Sequence, residues 1–343
     1  MKKVIIVLLL LIVIGALGGL LFLNTVGDAK DPESTETISV EIPEGTYASQ
    51  IGEILEEKGV ISSALKWKIY LRLNKQENDM KAGNYDLSPS MDIESIIAKL
   101  VSNEVNDLKV TVPEGLTIEQ TAMKLAEQGV GTYEGFMRAI ELDTYDYSWI
   151  RGNSLEGYLY PATYDVPVGS SEHDIIDMML KQFEKKAVKV YEETDNKITN
   201  NYTLNEVIAA ASIIERECAV DDERRLVSSV IYNRINSNIM LQMCSTVQYI
   251  LLKQTGQVKE VLSNADTAID DPYNTYIHYG LPPGPICSPG LASIKAAMKP
   301  KKTDYLYFVL SADLDGTSKF TGDYNQFLKY KDEYYEAYNK ANS

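Results

Sequence analysis

The sequence predicts an α+β protein built from an N-terminal transmembrane helix, a small β-α-α-β module and a larger mixed helical and β domain. Three observations lead there. The chain opens on a 20-residue apolar run, it matches itself at an offset of 70 residues, and beyond about Tyr133 it becomes helical and loop-rich. The matching boundaries are 1–27 for an anchor, 28–38 for a tether, 39–105 for the module and 106–343 for the larger domain.

The first element is the simplest to justify. Val4 to Leu23 has the length a helix needs to cross the hydrocarbon core. Lys2 and Lys3 precede it and Asp28 follows, so the positive-inside rule leaves the rest of the chain outside the cytoplasm. A cleaved signal peptide is the competing reading, but its apolar segment is normally shorter, and no small-x-small site follows the run. The expectation is a single-pass protein of the cell membrane whose working part is extracytoplasmic, tethered by the polar stretch GDAKDPESTET.

The module follows from the repeat. VEIPEGTYASQIGEILEEKGV starts at Val40 and VTVPEGLTIEQTAMKLAEQGV at Val110. Each copy reads as a short strand, a Pro-Glu-Gly turn and an amphipathic helix, with Ile51, Ile54 and Leu55 marking the apolar stripe and Leu125 standing where Leu55 does. SALKWKIYLRL supplies a second helix, AGNYDLSP a returning strand and DIESIIAKLV a further helix. The second copy opens the larger domain.

In that domain, Ser154 to Pro167 (SLEGYLYPATYDVP) is a structured loop or a pair of short strands. Helices are expected near 172–193, 204–219, 222–236 and 246–254, with a strand-like piece at IMLQM, a buried strand at YLYFVL and a tyrosine-faced helix from Tyr324 to Asn342. Tyr273 to Gly290 (YNTYIHYGLPPGPICSPG) is a long Pro/Gly-rich loop, and such loops in compact domains usually carry function.

A net charge of -16 argues against nucleic acid as a partner, since a polyanion would be repelled. Cys218, Cys244 and Cys287 are odd in number and widely spaced, which suits small buried groups and neither a disulfide framework nor a metal site. No metal and no cofactor are expected.

The helix at ASIIERECAV holds the sharpest candidate. Thr203 and Glu206 form a T-x-x-E capping box at its start. At about 100° per residue, Leu204 and Ile208 lie about 20° to either side of Glu215, whereas Glu217 lies roughly 160° away. Glu215 therefore sits inside the apolar stripe, and Glu217 falls on the more polar side. An inward carboxylate costs free energy unless it is paired, protonated or at a cleft wall. One reading is an ion pair with a basic partner in the following helix, such as Arg225 or Arg234; the other is a general acid whose apolar neighbours raise its pKa. Glycosidases mostly use two carboxylates. Glu217 points away, Asp222 belongs to the next helix cap, and Glu156 lies in the aromatic loop at an unknown distance. A lone carboxyl suits lytic transglycosylation, in which one group protonates the glycosidic oxygen and then deprotonates the sugar's C6 hydroxyl, closing a 1,6-anhydro ring.

LEGYLYPATY, AASIIERE, YNRI with LQMCSTVQY, and YNTYIHYGLPPGPICSPG together resemble the MltG-type (YceG-like) endolytic murein transglycosylases. The resemblance runs from the apolar N-terminus to YLYFV. It implies that Glu215 is the catalytic acid/base, that residues 39–105 are a LysM-like module, and that the substrate is peptidoglycan glycan strands, cut while nascent, near the peptidoglycan synthases. By motif position, Gln242, Thr246, Asn274, Thr275 and Tyr276 line the glycan groove, their amides and hydroxyls matching sugar hydroxyls. Tyr158 offers a ring for a sugar face. Three positions depart from the family pattern: Cys244 and Ser245 replace an Asp-Pro, and Ala162 stands where Asp is common. A non-catalytic peptidoglycan-binding scaffold of the cell-wall synthesis machinery is the alternative, and a conventional hydrolase is a third.

Overall fold

The computed structural model describes residues 25–75, 80–102, 107–150 and 154–341. The expected membrane-spanning run lies outside them. Among the described residues no helix is long and apolar enough to cross a membrane.

The chain forms two compact units, the first holding the described residues through Lys109 together with Asp165–Gly169. Its strand β1 (Ile38–Ile42) pairs antiparallel with β2 (Gly83–Leu87) in the register Ile38↔Leu87 to Ile42↔Gly83. Alternation in ISVEI buries Val40 and Ile42 while Ser39 and Glu41 face solvent. Helices α1 (Ala48–Glu57), α2 (Ala64–Asn74) and α3 (Ile93–Ser102) complete the unit. Ile51 and Leu55, one helical turn apart, meet Trp67, Leu71, Ile96 and Leu100 in its core. Trp67 lies directly over Gly52, and its indole N–H donates to the Ala48 carbonyl at 2.8 Å.

The repeat extends further than the sequence match. β3 (Asp107–Val112) is followed by α4 (Ile118–Glu127), whose ends fall 70 residues beyond those of α1. The intervening turns share a left-handed glycine, Gly45 at φ 83° and Gly115 at φ 80°. A second helix, α5 (Tyr133–Leu142), and a strand, β4 (Ala162–Pro167), come next, and β4 pairs with β3. The second copy is thus a whole β-α-α-β unit, where the sequence displayed only its opening.

The second unit comprises Val110–Tyr164 and the chain from Ser170. After α6 (Glu172–Phe183), which runs through a π turn to Glu192, come α7 (Leu204–Glu217), α8 (Arg224–Asn236), α9 (Cys244–Thr255) and α10 (Leu291–Met298). IMLQM is not a strand: Arg234 draws the carbonyls of Met240 and Leu241 onto its guanidinium at 2.9 Å each, and Gln242 sits at φ 53°. YLYFVL is a strand, β5 (Tyr307–Leu310), paired antiparallel with β6 (Ser318–Thr321), but it is half-buried to exposed because a two-stranded ribbon has only one covered face. Tyr307 stacks on Phe327 of the last helix, α11 (Tyr324–Ala341).

Gly52→Ala would drive a Cβ into the Trp67 ring and should destabilise the first unit by about 1–3 kcal/mol. A denaturant melt followed by Trp fluorescence checks this; an unchanged midpoint contradicts the packing described.

Candidate active site

The capping box forms at the start of α7: the Thr203 hydroxyl accepts from the Glu206 N–H at 3.4 Å, and the Glu206 carboxylate accepts from the Thr203 N–H at 2.7 Å. From Val207 to Ile214 every residue is buried, so the helix is enclosed on all sides. Glu215 comes immediately after this run, with a side chain 8% exposed.

Both oxygens of its carboxylate are engaged. Oε1 accepts from Arg224 Nη1 at 3.3 Å and Oε2 accepts from the Gly290 N–H at 3.0 Å. The basic partner is Arg224, not Arg225 or Arg234. A 3-10 turn at Asp221–Glu223 returns the chain so that the first residue of α8 faces the end of α7. Arg225 instead donates to the Lys299 carbonyl, and Arg234 to loop carbonyls. Arg224 is itself fixed by Ser293 Oγ at 2.8 Å and by Asp221 at 3.1 Å.

A second carboxylate lies beside this pair. The Pro113-Glu114-Gly115 turn hangs over the start of α10, and a Cβ built on Gly290 would overlap the Glu114 carboxylate. Only a glycine lets the carboxylate approach that backbone. A Cβ on Gly115 would stand 3.7 Å from Glu215 Cγ, so the same turn packs on the Glu215 stem. The turn is held by paired backbone bonds, Gly115 N–H to the Ser288 carbonyl and Ser288 N–H to the Leu116 carbonyl, each 2.8 Å. Burial, and next the negative charge of Glu215, raise the pKa of the otherwise exposed Glu114, with Arg224 pulling the other way. Sequence reasoning missed Glu114 because the Pro-Glu-Gly turn reads as turn chemistry in both copies. Only the fold reveals which copy meets a helix end.

Glu217 is not on a polar face. The start of α9 covers that side of α7, and Glu217 Oε1 accepts from the Ser245 N–H at 3.0 Å, where a carboxylate complements the helix dipole. Burial raises its pKa despite that bond. Beside the site, Gly115, Gln120, Arg216, Ser245 and Gln248 border a cleft of about 20 Å³, room for little more than one water.

The residues expected to line a groove separate into two kinds. Asn274 is buried; its amide donates to the carbonyls of Thr267 and Ile269 and its oxygen accepts from the Tyr276 N–H. Thr275 and Thr246 are buried against each other at 3.0 Å, and Thr275 Oγ1 also accepts from the Met243 N–H. These three shape the loop. Gln242 is exposed at a left-handed φ, which a non-glycine residue holds only under constraint, and Tyr276 is half-buried with its hydroxyl 3.1 Å from Cys244 Sγ. Tyr158 is displaced from the expected role. Its ring is 1% exposed, packed against Trp149 and Phe183, with its hydroxyl donating to Asn205, so no face is left for a sugar.

The profile of the YceG-like family matches residues 40–333. The chain belongs to the YceG-like family. It is 32% identical over 340 residues to a Bacillus subtilis protein named endolytic murein transglycosylase, covering 94% of this chain and 92% of that one. It is likewise 32% identical to a Streptococcus pneumoniae protein of the same name, of which it spans only 55%. A crystal structure of a yceG-like protein from Listeria monocytogenes superimposes with a TM-score of 0.56 at 34% identity, covering 86% of this chain and 99% of that one.

Within this YceG-like fold Glu156 is a carboxyl of another kind. It is 3% exposed, accepting from the Ile118 N–H at 3.2 Å and the Tyr249 hydroxyl at 3.3 Å. Burial, and next the charge of Glu119, push it up to about 8. The folded chain thus holds a proton that the unfolded chain releases above its ordinary carboxylate pKa of about 4.3. Stability should fall as pH rises through that interval toward 8 and level off above it. Glu156→Gln should flatten this slope in denaturant melts at pH 5, 7 and 8.5; an unchanged slope would exclude Glu156 as its source.

Proposed function

We propose that the chain is a membrane-anchored endolytic murein transglycosylase, held by its N-terminal apolar run with the folded units on the extracytoplasmic side. It cuts nascent glycan strands near the peptidoglycan synthases and leaves 1,6-anhydro-muramyl ends. One observation carries this reading: a carboxyl at the end of an enclosed helix, gripped by a guanidinium and a backbone N–H, with a second carboxylate alongside. Burial, and next the neighbouring charge of Glu215, make Glu114 take up a proton more readily than an isolated carboxyl, and Glu114 passes one on to Glu215. Glu215 gives that proton to the glycosidic oxygen as the C1–O4 bond breaks. It then takes the C6 hydroxyl proton while O6 closes on C1, and no water enters. Glu114, being exposed, connects the pair to solvent protons. Gln242 and Tyr276 present an amide and a phenol to sugar hydroxyls.

Two features favour a second reading, a non-catalytic peptidoglycan-binding scaffold: the hold of Arg224 on Glu215 and the narrowness of the neighbouring cleft. As an enzyme, the chain must release Glu215 from Arg224 and widen that cleft when a strand binds.

Mass spectrometry of products from uncrosslinked glycan strands separates the readings. A transglycosylase gives anhydro ends, a hydrolase gives ends heavier by one water, and a scaffold gives neither. Glu215→Gln should lower turnover by about 10²–10⁴-fold. Glu114→Gln should lower kcat by about tenfold or more and shift the acid limb of the kcat–pH profile, leaving KM nearly unchanged. Near-normal turnover by Glu215→Gln refutes the assignment. Cys244→Asp, which restores the family pattern at the start of α9, should raise kcat.

A further inference from the structure

A second cavity lies on the other side of α8. Ser229, Tyr232, Asn233 and Asn236 face it, turned roughly 130° around the helix from Arg224. Its opposite walls are the short helix Lys197–Asn201 and the segment Met298–Thr303. Its volume is about 760 Å³, within the range of small-molecule and peptide sites.

The walls are fixed. Asn233 donates to the carbonyls of Thr303 and Tyr305 at 2.9 Å each, Arg225 donates to the Lys299 carbonyl at 2.7 Å, and the Lys301 N–H donates to the Arg225 carbonyl at 2.9 Å. The polar groups that remain are another matter. Lys197, Lys299, Lys301 and Lys302 all line this one cavity, and among the described residues none of the four is in an ion pair. This concentration of positive charge occurs in a chain of net charge -16. Tyr232 lines the wall at 3% exposure, and its buried hydroxyl has no hydrogen-bond partner. Ile198, Met298 and Pro300 add apolar surface.

We propose that this cavity binds the peptide stems of the murein substrate. The inference rests on the transglycosylase reading for its ligand class, but not on Glu215. A stem peptide carries carboxylates for the lysines, backbone amides for asparagine and tyrosine side chains, and short aliphatic groups for the apolar wall. Glycan stripped of its stems offers neutral hydroxyls and acetamides and, on each muramyl lactyl group, one carboxylate held close to the ring. A stem instead carries several carboxylates along a chain that can reach four separate ammonium groups. The pocket thus sets which strands are cut, favouring those that carry stems.

Two measurements with the full-length protein test this. In the first, kcat and KM are compared on glycan strands carrying stem peptides and on strands stripped of them by an amidase. The variant is Lys197→Gln/Lys301→Gln/Lys302→Gln, three exposed positions whose replacement leaves the core untouched. Its KM should rise about tenfold on stem-bearing strands, with kcat held, and stay at the wild-type value on stripped strands. Equal change on both substrates, or on neither, overturns the proposal. In the second, amidase-released stem peptides are titrated calorimetrically into both proteins. Binding lost in the variant supports the site even if Glu215→Gln proves active and the catalytic assignment fails. No binding by the wild-type protein, or equal binding of inorganic polyphosphate, overturns it.

Discussion

The site depends on the enclosure of α7. A helix buried from Val207 to Ile214 has no freedom to turn, so the direction of the next side chain, Glu215, is fixed by packing rather than by its own rotamer preferences. The carboxylate this presents would be costly alone. Arg224 and the Gly290 N–H make it tolerable, and each is anchored by further contacts. Precision is inherited from the core outward.

The same principle explains the less obvious carboxyls. Glu217 is tied to a helix N-terminus, Glu156 is sealed under a tyrosine, and Glu114 stands at the surface beside a like charge. Three carboxyls in one unit thus meet three different sets of forces, and only Glu114 adjoins the Glu215 carboxylate while remaining open to water. Chemistry that moves a proton needs that combination of contact and access.

Much of this was readable in the chain. The capping box placed the start of α7, the projection at about 100° per residue set Glu215 among apolar neighbours, and the 70-residue offset located both turns. Local rules sufficed there because each feature is encoded within a few residues. What failed was long-range. The following helix does supply the basic partner, but at Arg224 rather than Arg225 or Arg234, because a single 3-10 turn decides which residue faces α7. Tyr158 looked like a sugar platform until Trp149 and Phe183 covered it. Glu217 was placed toward water because α9 is invisible to a helical wheel. Glu114 lies about a hundred residues upstream of Glu215, beside which the fold sets it, and no spacing rule connects them.

The paired β-α-α-β copies carry one more implication. The bend at Gly45 and the bend at Gly115 each turn on a single left-handed residue, so the same corner forms in both copies. Glu44 stands exposed at the first bend. Its counterpart Glu114 meets a foreign helix start. A strand-to-helix corner of this sort can meet a new neighbour without being reshaped, once the arriving segment brings a glycine for the carboxylate and a backbone pair for the turn.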